Sequence, residues 1–356
     1  MRRKSLWHEL DLLCRIGVGL EAIAPDVSQL IRDLVGSDAA AIFWLDETGM
    51  PAGFFHQDSP ASARELFLNE FDRLFVGERE INVFTLSQNT GARVGHLMAP
   101  DASYYRSNTF NLLVRPSGHY HALDLRIDIR GQARAVVLLF RAHGAPFADE
   151  HAILLNRVAP YLERALAPAP YESGWRGDKG GAAHMLVDAH GLQLLMCSEH
   201  AEVLLSGANL VGAGLSLTGG LSAPPTFVRE LCNRVRLGGP GMPAPTCSFS
   251  VPGGRLRATA VRLHAPHATA DSPSGQVLVV LEFLKPASLD MVRKVVALEV
   301  SPLQREIALT AGLGHARGDC TTTLGVSSEA LKKHLRVIYS AAGVSNWEEL
   351  GDFLVR

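Results

Sequence analysis

Apolar residues recur at three- and four-residue intervals in several parts of the chain, which is the spacing of side chains along one face of an α-helix. The first such stretch predicts a helix over 5–23. The residues of its apolar stripe are Leu6, Leu10, Leu13, Ile16 and Leu20. A second helix is predicted from Pro25 to about Gly36, because proline suits a helix start and glycine its end. The same spacing predicts a long helix over 147–167 and a shorter one over 288–298.

Runs of consecutive or alternating apolar residues predict β-strands between these helices. The run Ala39–Leu45, a short turn and a second apolar run that includes Phe54 predict one hairpin. Over 121–130 apolar residues alternate with charged ones, which predicts a half-exposed strand. After a turn at Gly131, the run 135–140 predicts a buried return strand.

A second group of strands is predicted after residue 182. The segment Met185–Leu195 contains a strand, an Asp-x-x-Gly turn and another strand, and Ser198 would cap the helix that follows. Two later stretches, 255–263 and 276–283, are predicted as antiparallel closing strands. The chain is therefore predicted to have an α+β multidomain fold.

The order of elements in 1–167 resembles a GAF domain, most specifically in the closing segment APFADEHAILLNRVAPYLERAL. The strands and capped helix after residue 182 resemble the opening of a PAS domain, which we place at 182–286. Both resemblances imply sensor domains built on antiparallel sheets. The segment 168–181 is predicted as a linker, and 287–299 as a helix that connects to an all-α domain over 300–356.

Composition and charge narrow the class of protein. The chain has 356 residues, of which 47% are apolar and 20% charged, and this fits two or three globular domains. Because the net charge is only −2, any surface that binds nucleic acid must be local. The five cysteines form no CxxC pair, which favours reduced thiols in a cytoplasmic protein over a zinc site or a disulfide framework. No apolar run approaches the roughly 18 residues of a membrane span, so no membrane association is predicted.

The strongest functional signal lies in the C-terminal segment VSPLQREIALTAGLGHARGDCTTTLGVSSEALKKHL, which begins at residue 300. Within it, the five residues LGVSS at 324–328 combine a helix end, a tight turn and the cap of a new helix. Helical spacing after the cap places apolar side chains inward and cations outward, where they can neutralise phosphates or reach guanine edges. The residues predicted to contact DNA are Ser327, Ser328, Lys332, Lys333, His334 and Arg336.

This segment resembles the LuxR-type (NarL/FixJ-like) helix-turn-helix family. The positions that match the family pattern, as identities or close substitutes, are Ser301, Glu306, Ile307, Gly314, Leu324, Val326, Ser327, Lys332, His334, Leu335, Ile338, Gly343 and Val344. It departs from the pattern at Leu303-Gln304, at Asp319-Cys320-Thr321 and at Ala341-Ala342. In the recognition helix, Ala330 lacks the usual threonine hydroxyl and Glu329 adds a negative charge. Since residues 300–356 contain six Lys/Arg and six Asp/Glu, we expect modest and strongly salt-dependent affinity for DNA.

Aromatic residues of the first domain are candidates for a ligand cavity between its sheet and the covering helices. They are Trp44, Phe54, Tyr104, Tyr105 and Tyr120. Ordinary core packing is the alternative role for each of them. The sequence contains no nucleophile elbow, phosphate loop or metal-ligand spacing, so we predict no enzymatic activity, no cofactor and no metal.

Together these features predict a cytoplasmic, sequence-specific DNA-binding transcription regulator that is controlled by a small molecule or another signal. The helices over 5–23 and 147–167 are expected to pair two copies into a homodimer. Double-stranded DNA is the expected partner, and RNA polymerase is a further candidate. Two alternatives stay open: a signalling protein whose lapsed helix-turn-helix makes protein contacts, and a sensor or enzyme that binds haem or flavin.

Overall fold

The structure is a computed structural model. It describes residues 2–167, 174–212, 215–216, 220–239, 241–263 and 275–356. The predicted linker over 168–181 therefore lies partly outside the described residues. The prediction of a mixed α+β fold with two antiparallel sheets and a C-terminal helical region is confirmed.

The first sheet contains the two predicted hairpins. Its strands are β1 (Ala39–Leu45), β2 (Pro51–His56), β3 (His121–Ile129) and β4 (Gln132–Arg141). They pair antiparallel in the order β2-β1-β4-β3. Strand β3 is more buried than its alternation indicates, because an earlier loop covers it. In this loop Val94 forms a β-bridge with Leu125, and the Leu97 N–H donates to Asp124 Oδ1 at 2.6 Å.

Helices cover both faces of this sheet. On one face lie α1 (Arg2–Cys14), α2 (Leu20–Val35), α5 (Asp149–Asn156) and α6 (Ala159–Leu166). On the other lie α3 (Ala61–Leu74), α4 (Val83–Gln88) and a π-helical turn, Thr109–Val114. Because side chains alternate along a strand, Ala40 and Ile42 of β1 face the first group and Ala41 and Phe43 face the second.

Three helix predictions in the first domain are wrong in their boundaries. The helix predicted over 5–23 ends at Cys14, since the next turn uses Gly17 and Gly19 at φ 71° and 93°, which interrupt a helix. The second helix starts at Leu20 and not at Pro25, which lies inside it. The helix predicted over 147–167 is divided into α5 and α6, because Pro160 has no N–H to continue the hydrogen-bond ladder.

The second sheet is formed by later parts of the chain. Its strands are β5 (Trp175–Gly177), β6 (Ala183–Val187), β7 (Leu194–Cys197), β10 (Thr246–Val251), β11 (Gly254–Arg262) and β12 (Val277–Pro286). They pair in the order β10-β11-β12-β6-β7, with β5 paired to β12, and a small two-stranded sheet joins β8 (Leu215–Ser216) and β9 (Gly220–Leu221). Two helices, α7 (Glu199–Ala208) and α8 (Thr226–Leu237), pack on its core. The predicted strands near 255–263 and 276–283 are confirmed as β11 and β12.

The C-terminal region is helical, as predicted. It contains α9 (Ala287–Ala297), α10 (Pro302–Gly312), α11 (Asp319–Thr323), α12 (Ser328–Ala342) and α13 (Trp347–Val355). Its buried core includes Ile307, Leu331, Leu335, Ile338 and Leu350. None of the helices formed by the described residues is long and apolar enough to cross a lipid bilayer.

The C-terminal helices share a continuous hydrophobic core with α1, α2, α5 and α6. Ion pairs reinforce this contact: Arg305 with Glu9, and Arg293 with Asp26 at 2.9 Å. The α1 residues Leu10 and Leu13 are buried within the chain. The α1 stripe that we expected to pair two copies is therefore not a free surface.

Candidate functional site

The turn between α11 and α12 has the geometry that its residues predict. Gly325 adopts φ +63°, a left-handed conformation that side chains disfavour. Ser327 caps α12, because its Oγ accepts a hydrogen bond from the Ala330 N–H at 3.2 Å. At the other end of α12, Gly343 at φ 67° closes the helix. Glycines and a serine cap therefore fix both ends of α12 locally.

The outward face of α12 carries a group of cations. Lys332, Lys333 and Arg336 are exposed, while Leu331 and Leu335 of the same helix are buried. This division follows from the helical repeat of 3.6 residues. Ser327 and Ser328, at the start of the helix, are exposed as well.

Two features reduce the positive charge of this face. Glu329 lies one turn before Lys333, and the two side chains approach to 3.6 Å while both remain exposed. His334 is only half exposed, since its Nδ1 lies 3.5 Å from Gln304 Nε2 of α10. Of the six residues predicted to contact DNA, five are therefore exposed and His334 is directed partly toward α10.

Acidic residues elsewhere in the C-terminal region are partly neutralised within the chain. Glu306 pairs with Arg15, which directly follows α1, at 2.5 Å, and Asp319 accepts a hydrogen bond from the Ala316 N–H at 2.9 Å. Arg317, in the exposed loop before α11, is a further cation that the sequence argument did not single out. Its only sequence signal is its place in a glycine-rich loop.

A cavity of about 60 Å³ lies on the opposite face of the first sheet from α1 and α2. Aromatic rings from three strands, from α3 and from the segment before β3 line it, and the main ones are Phe43, Phe54, Phe67, Tyr104, His119 and Phe140. Of the residues that we expected to bind a ligand, Phe54 and Tyr104 line this cavity.

The other three expected ligand residues lie elsewhere. Trp44 follows Phe43 on β1 and so points to the other face of the sheet, where it packs on Gly53. Tyr105 and Tyr120 stack on each other with ring centroids 5.5 Å apart, outside the lining of the cavity. These aromatics cannot be told apart in the sequence, because strand register and the path of the loops decide which face of the sheet each one occupies.

A pair of histidines forms part of the cavity wall. His119 Nε2 lies 3.3 Å from His56 Nε2, and the His119 ring lies parallel to Phe140 with a centroid distance of 4.7 Å. Burial lowers the pKa of His56 to about 3 and also lowers the pKa of His119. Both rings are therefore neutral at pH 7, and one can donate a hydrogen bond to the other.

Comparisons with known proteins do not identify a family. No family model matches this chain, and no curated protein matches it. The solved structures to which it is similar include a phage VqmA–DPO complex, the sensor region of a sensor histidine kinase and an E. coli DhaR(N)–DhaL complex, each at 13% sequence identity. These similarities cover 48%, 74% and 79% of this chain and 81%, 90% and 87% of the respective chains. The TM-scores are 0.18, 0.19 and 0.18, so the similarities carry no argument about fold or function.

Proposed function

We propose that this protein is a DNA-binding transcription regulator whose C-terminal region, over 300–356, acts as a LuxR-type helix-turn-helix. The two sheet domains, GAF-like over 1–167 and PAS-like over 182–286, would act as sensors, with no enzymatic role. The observation that carries the proposal is the exposed cationic face of α12, which follows a glycine turn and a serine cap.

The dimensions of α12 suit this role. Its 15 residues extend for about 22 Å, and a helix fits the major groove of B-DNA. Lys332 and Arg336 are one helical turn apart, so both can reach the backbone or base edges along one groove. Ser327 and Ser328 at the N-terminus of the helix offer hydroxyl and N–H donors to a phosphate.

The balance of charge limits the affinity of a single copy. Because the C-terminal region is not basic overall, only the α12 face and nearby loop cations attract the duplex. A homodimer that reads two half-sites about one turn of DNA apart would supply the remaining affinity. Its interface would have to lie outside the α1 stripe, which is buried within the chain.

The test is the binding of the full-length chain to duplexes enriched from a random-sequence pool, measured by fluorescence anisotropy at several salt concentrations. Lys332→Ala should weaken binding and reduce the salt slope by about 1, since one phosphate contact is lost. Arg356→Ala is the matched control, because it removes an exposed cation at the end of α13 that pairs with Asp352. Failure to enrich any duplex, or equal effects of the two variants, would overturn the proposal.

One observation favours the alternative of a lapsed DNA-binding region that contacts protein. The Glu329 side chain is 84% exposed at the start of α12, where it would repel a DNA backbone. In that case the α12 face would bind a protein surface of complementary charge. Lys332→Ala would then leave the weak, non-specific affinity for DNA and the salt slope of that affinity unchanged.

A further inference from the structure

We propose that the cavity on the first sheet binds a small uncharged molecule with one aromatic ring and a single polar group. Binding itself is independent of the function proposed above, but the role of this molecule as the signal of a transcription regulator rests on that proposal. The argument uses the charge, the shape and the hydrogen bonds of the lining residues.

The absence of charge in the lining indicates an uncharged ligand. Among the described residues that line the cavity there is no Asp, Glu, Lys or Arg, and the histidine pair of His56 and His119 is held neutral by burial. A charged ligand would lose its hydration there without gaining an ion pair, which disfavours its binding. The cavity therefore selects against ions.

The shape of the lining favours a flat ring. Phe43, Phe54 and Phe67 contact one another, with centroid distances of 4.9–5.5 Å, and form one end of the wall. The His119 ring, parallel to Phe140 within 5°, forms another flat surface. Phe54 and His56 are two residues apart on β2, about 6.6 Å along the strand, so their side chains lie on the same face of the sheet. A planar guest can stack on such rings or contact their edges.

The size of the cavity sets a limit on the guest. At about 60 Å³ it is smaller than the roughly 150 Å³ apolar cavity that holds benzene in another protein. A one-ring guest must therefore displace part of the wall. The π-helical turn Thr109–Val114 forms part of that wall. π-Helical turns are rare and are frequent at functional sites, so this turn is the part of the wall that we expect to move.

Most polar side chains of the lining are already satisfied by the protein. The Asn82 amide donates to Phe75 O at 2.7 Å and to Thr109 Oγ1 at 3.2 Å, and Thr109 Oγ1 donates to Glu80 Oε2 at 2.6 Å. Ser117 Oγ donates to the Leu113 carbonyl at 2.8 Å. These groups shape the wall and do not offer a hydrogen bond to a guest.

The Tyr104 hydroxyl is different. The residue is only 1% exposed and lines the cavity, and its hydroxyl takes part in none of the side-chain hydrogen bonds just described. Burial raises the pKa of Tyr104, so the hydroxyl keeps its proton and can both donate and accept. A guest with one polar atom can form a hydrogen bond with this hydroxyl at the cavity wall.

The test uses four one-ring probes with the purified full-length protein in the absence of DNA: phenol, benzene, benzoate and benzylamine. Binding is measured by isothermal calorimetry. Phenol should bind about fivefold to tenfold more tightly than benzene, because it can pair with the Tyr104 hydroxyl. Benzoate and benzylamine, which are charged at pH 7, should bind at least tenfold more weakly than phenol. Equal or tighter binding of a charged probe, or no binding of any probe, would overturn the proposal.

Two variants assign the binding to this cavity. Tyr104→Phe should abolish the preference for phenol over benzene, whereas Tyr161→Phe, a half-buried tyrosine that contacts Trp7 on the other side of the sheet, should retain it. Ala63→Leu fills the cavity from α3 and should weaken the binding of both neutral probes. A phenol preference that survives Tyr104→Phe would contradict the assignment even if Ala63→Leu does not fold.

The role as a signal is tested separately. Phenol should change the affinity of the protein for an enriched duplex in the wild type and not in Ala63→Leu. If phenol binds but the affinity for the duplex is unchanged, the signal role is refuted while the ligand site stands. If no duplex binds at all, the proposed function fails, and the calorimetric result on the cavity is unaffected.

Discussion

Replacement of Arg305 by methionine is expected to loosen the contact between the C-terminal helices and α1. Arg305 lies on α10 and is only 7% exposed. Its Nη1 donates to Glu9 Oε1 at 2.8 Å and to Ser5 Oγ at 3.0 Å, and its Nη2 donates to the Val296 carbonyl at 2.9 Å. Methionine would fill much of the same volume but make none of these bonds.

The expected loss of stability follows from the burial of the Arg305–Glu9 ion pair. Removal of one partner of a buried ion pair typically costs about 3–5 kcal/mol, because the other charge is left without compensation. The Glu9 side chain is 16% exposed and keeps its hydrogen bond from Ser5 Oγ at 3.0 Å, which favours the lower end. We therefore expect Arg305→Met to lower the free energy of unfolding by about 3 kcal/mol.

Urea unfolding followed by tryptophan fluorescence measures this loss, since Trp7 and Trp347 report from the two sides of the contact. The double variant Arg305→Met, Glu9→Met should recover most of the stability, because it removes both charges from the contact. Arg356→Ala, which breaks an exposed pair, should cost less than about 1 kcal/mol. The reasoning fails if Arg305→Met costs no more than Arg356→Ala, or if the double variant is less stable than the single one.

Three further predictions follow from local geometry. Glu329→Gln should tighten DNA binding about twofold to threefold, as measured by anisotropy, because it removes an exposed negative charge and frees Lys333. Gly325→Ala should lower the free energy of unfolding by about 1–2 kcal/mol, since φ is +63° there, whereas Gly318→Ala at φ −63° should show no such loss in the same melt. Burial holds the pKa of His56 near 3 in the folded protein against 6.5 when unfolded, so its contribution is complete above pH 6.5 and is lost as the pH falls toward 3. His56→Gln should therefore show a shallower loss of stability over that interval in acid titrations followed by circular dichroism, and an unchanged slope would contradict this.

The elements that the sequence predicted well depend on short-range signals. The hairpin of β1 and β2 follows from one apolar run, a turn and a second run. The start of α12 follows from Gly325 and Ser327, whose conformation and cap are set by residues within five positions. At Gly17 and Pro160 the apolar stripe continues past a residue that interrupts a helix. The stripe therefore predicts a helix that is too long, because the backbone of the glycine or proline determines where it ends.

The cavity could be predicted only in part, because its wall is assembled from distant segments. His56 and His119 are 63 residues apart, and neither lies in a recognisable motif. Tyr104 and Tyr105 are neighbours in the sequence, yet one lines the cavity and the other stacks on Tyr120 outside it. Composition can therefore indicate an aromatic pocket, but strand register and the path of the loop before β3 decide which rings form it.

The apolar stripe of α1 illustrates a further limit. Such a stripe shows that a helix is covered along one face, but not whether the cover is a second copy or a distant part of the same chain. Here the polar residues of α1 resolve the matter: Asp11 accepts a hydrogen bond from Arg164 at 2.7 Å, and Glu9 pairs with Arg305. Both partners lie far away in the sequence, and Arg305, which is only 7% exposed, would be left as a buried, uncompensated charge if α1 moved to another copy. The pair of Glu9 and Arg305 also holds the C-terminal helices against the first sheet domain, so a dimer that spaces two α12 helices on DNA has to form through a surface other than α1.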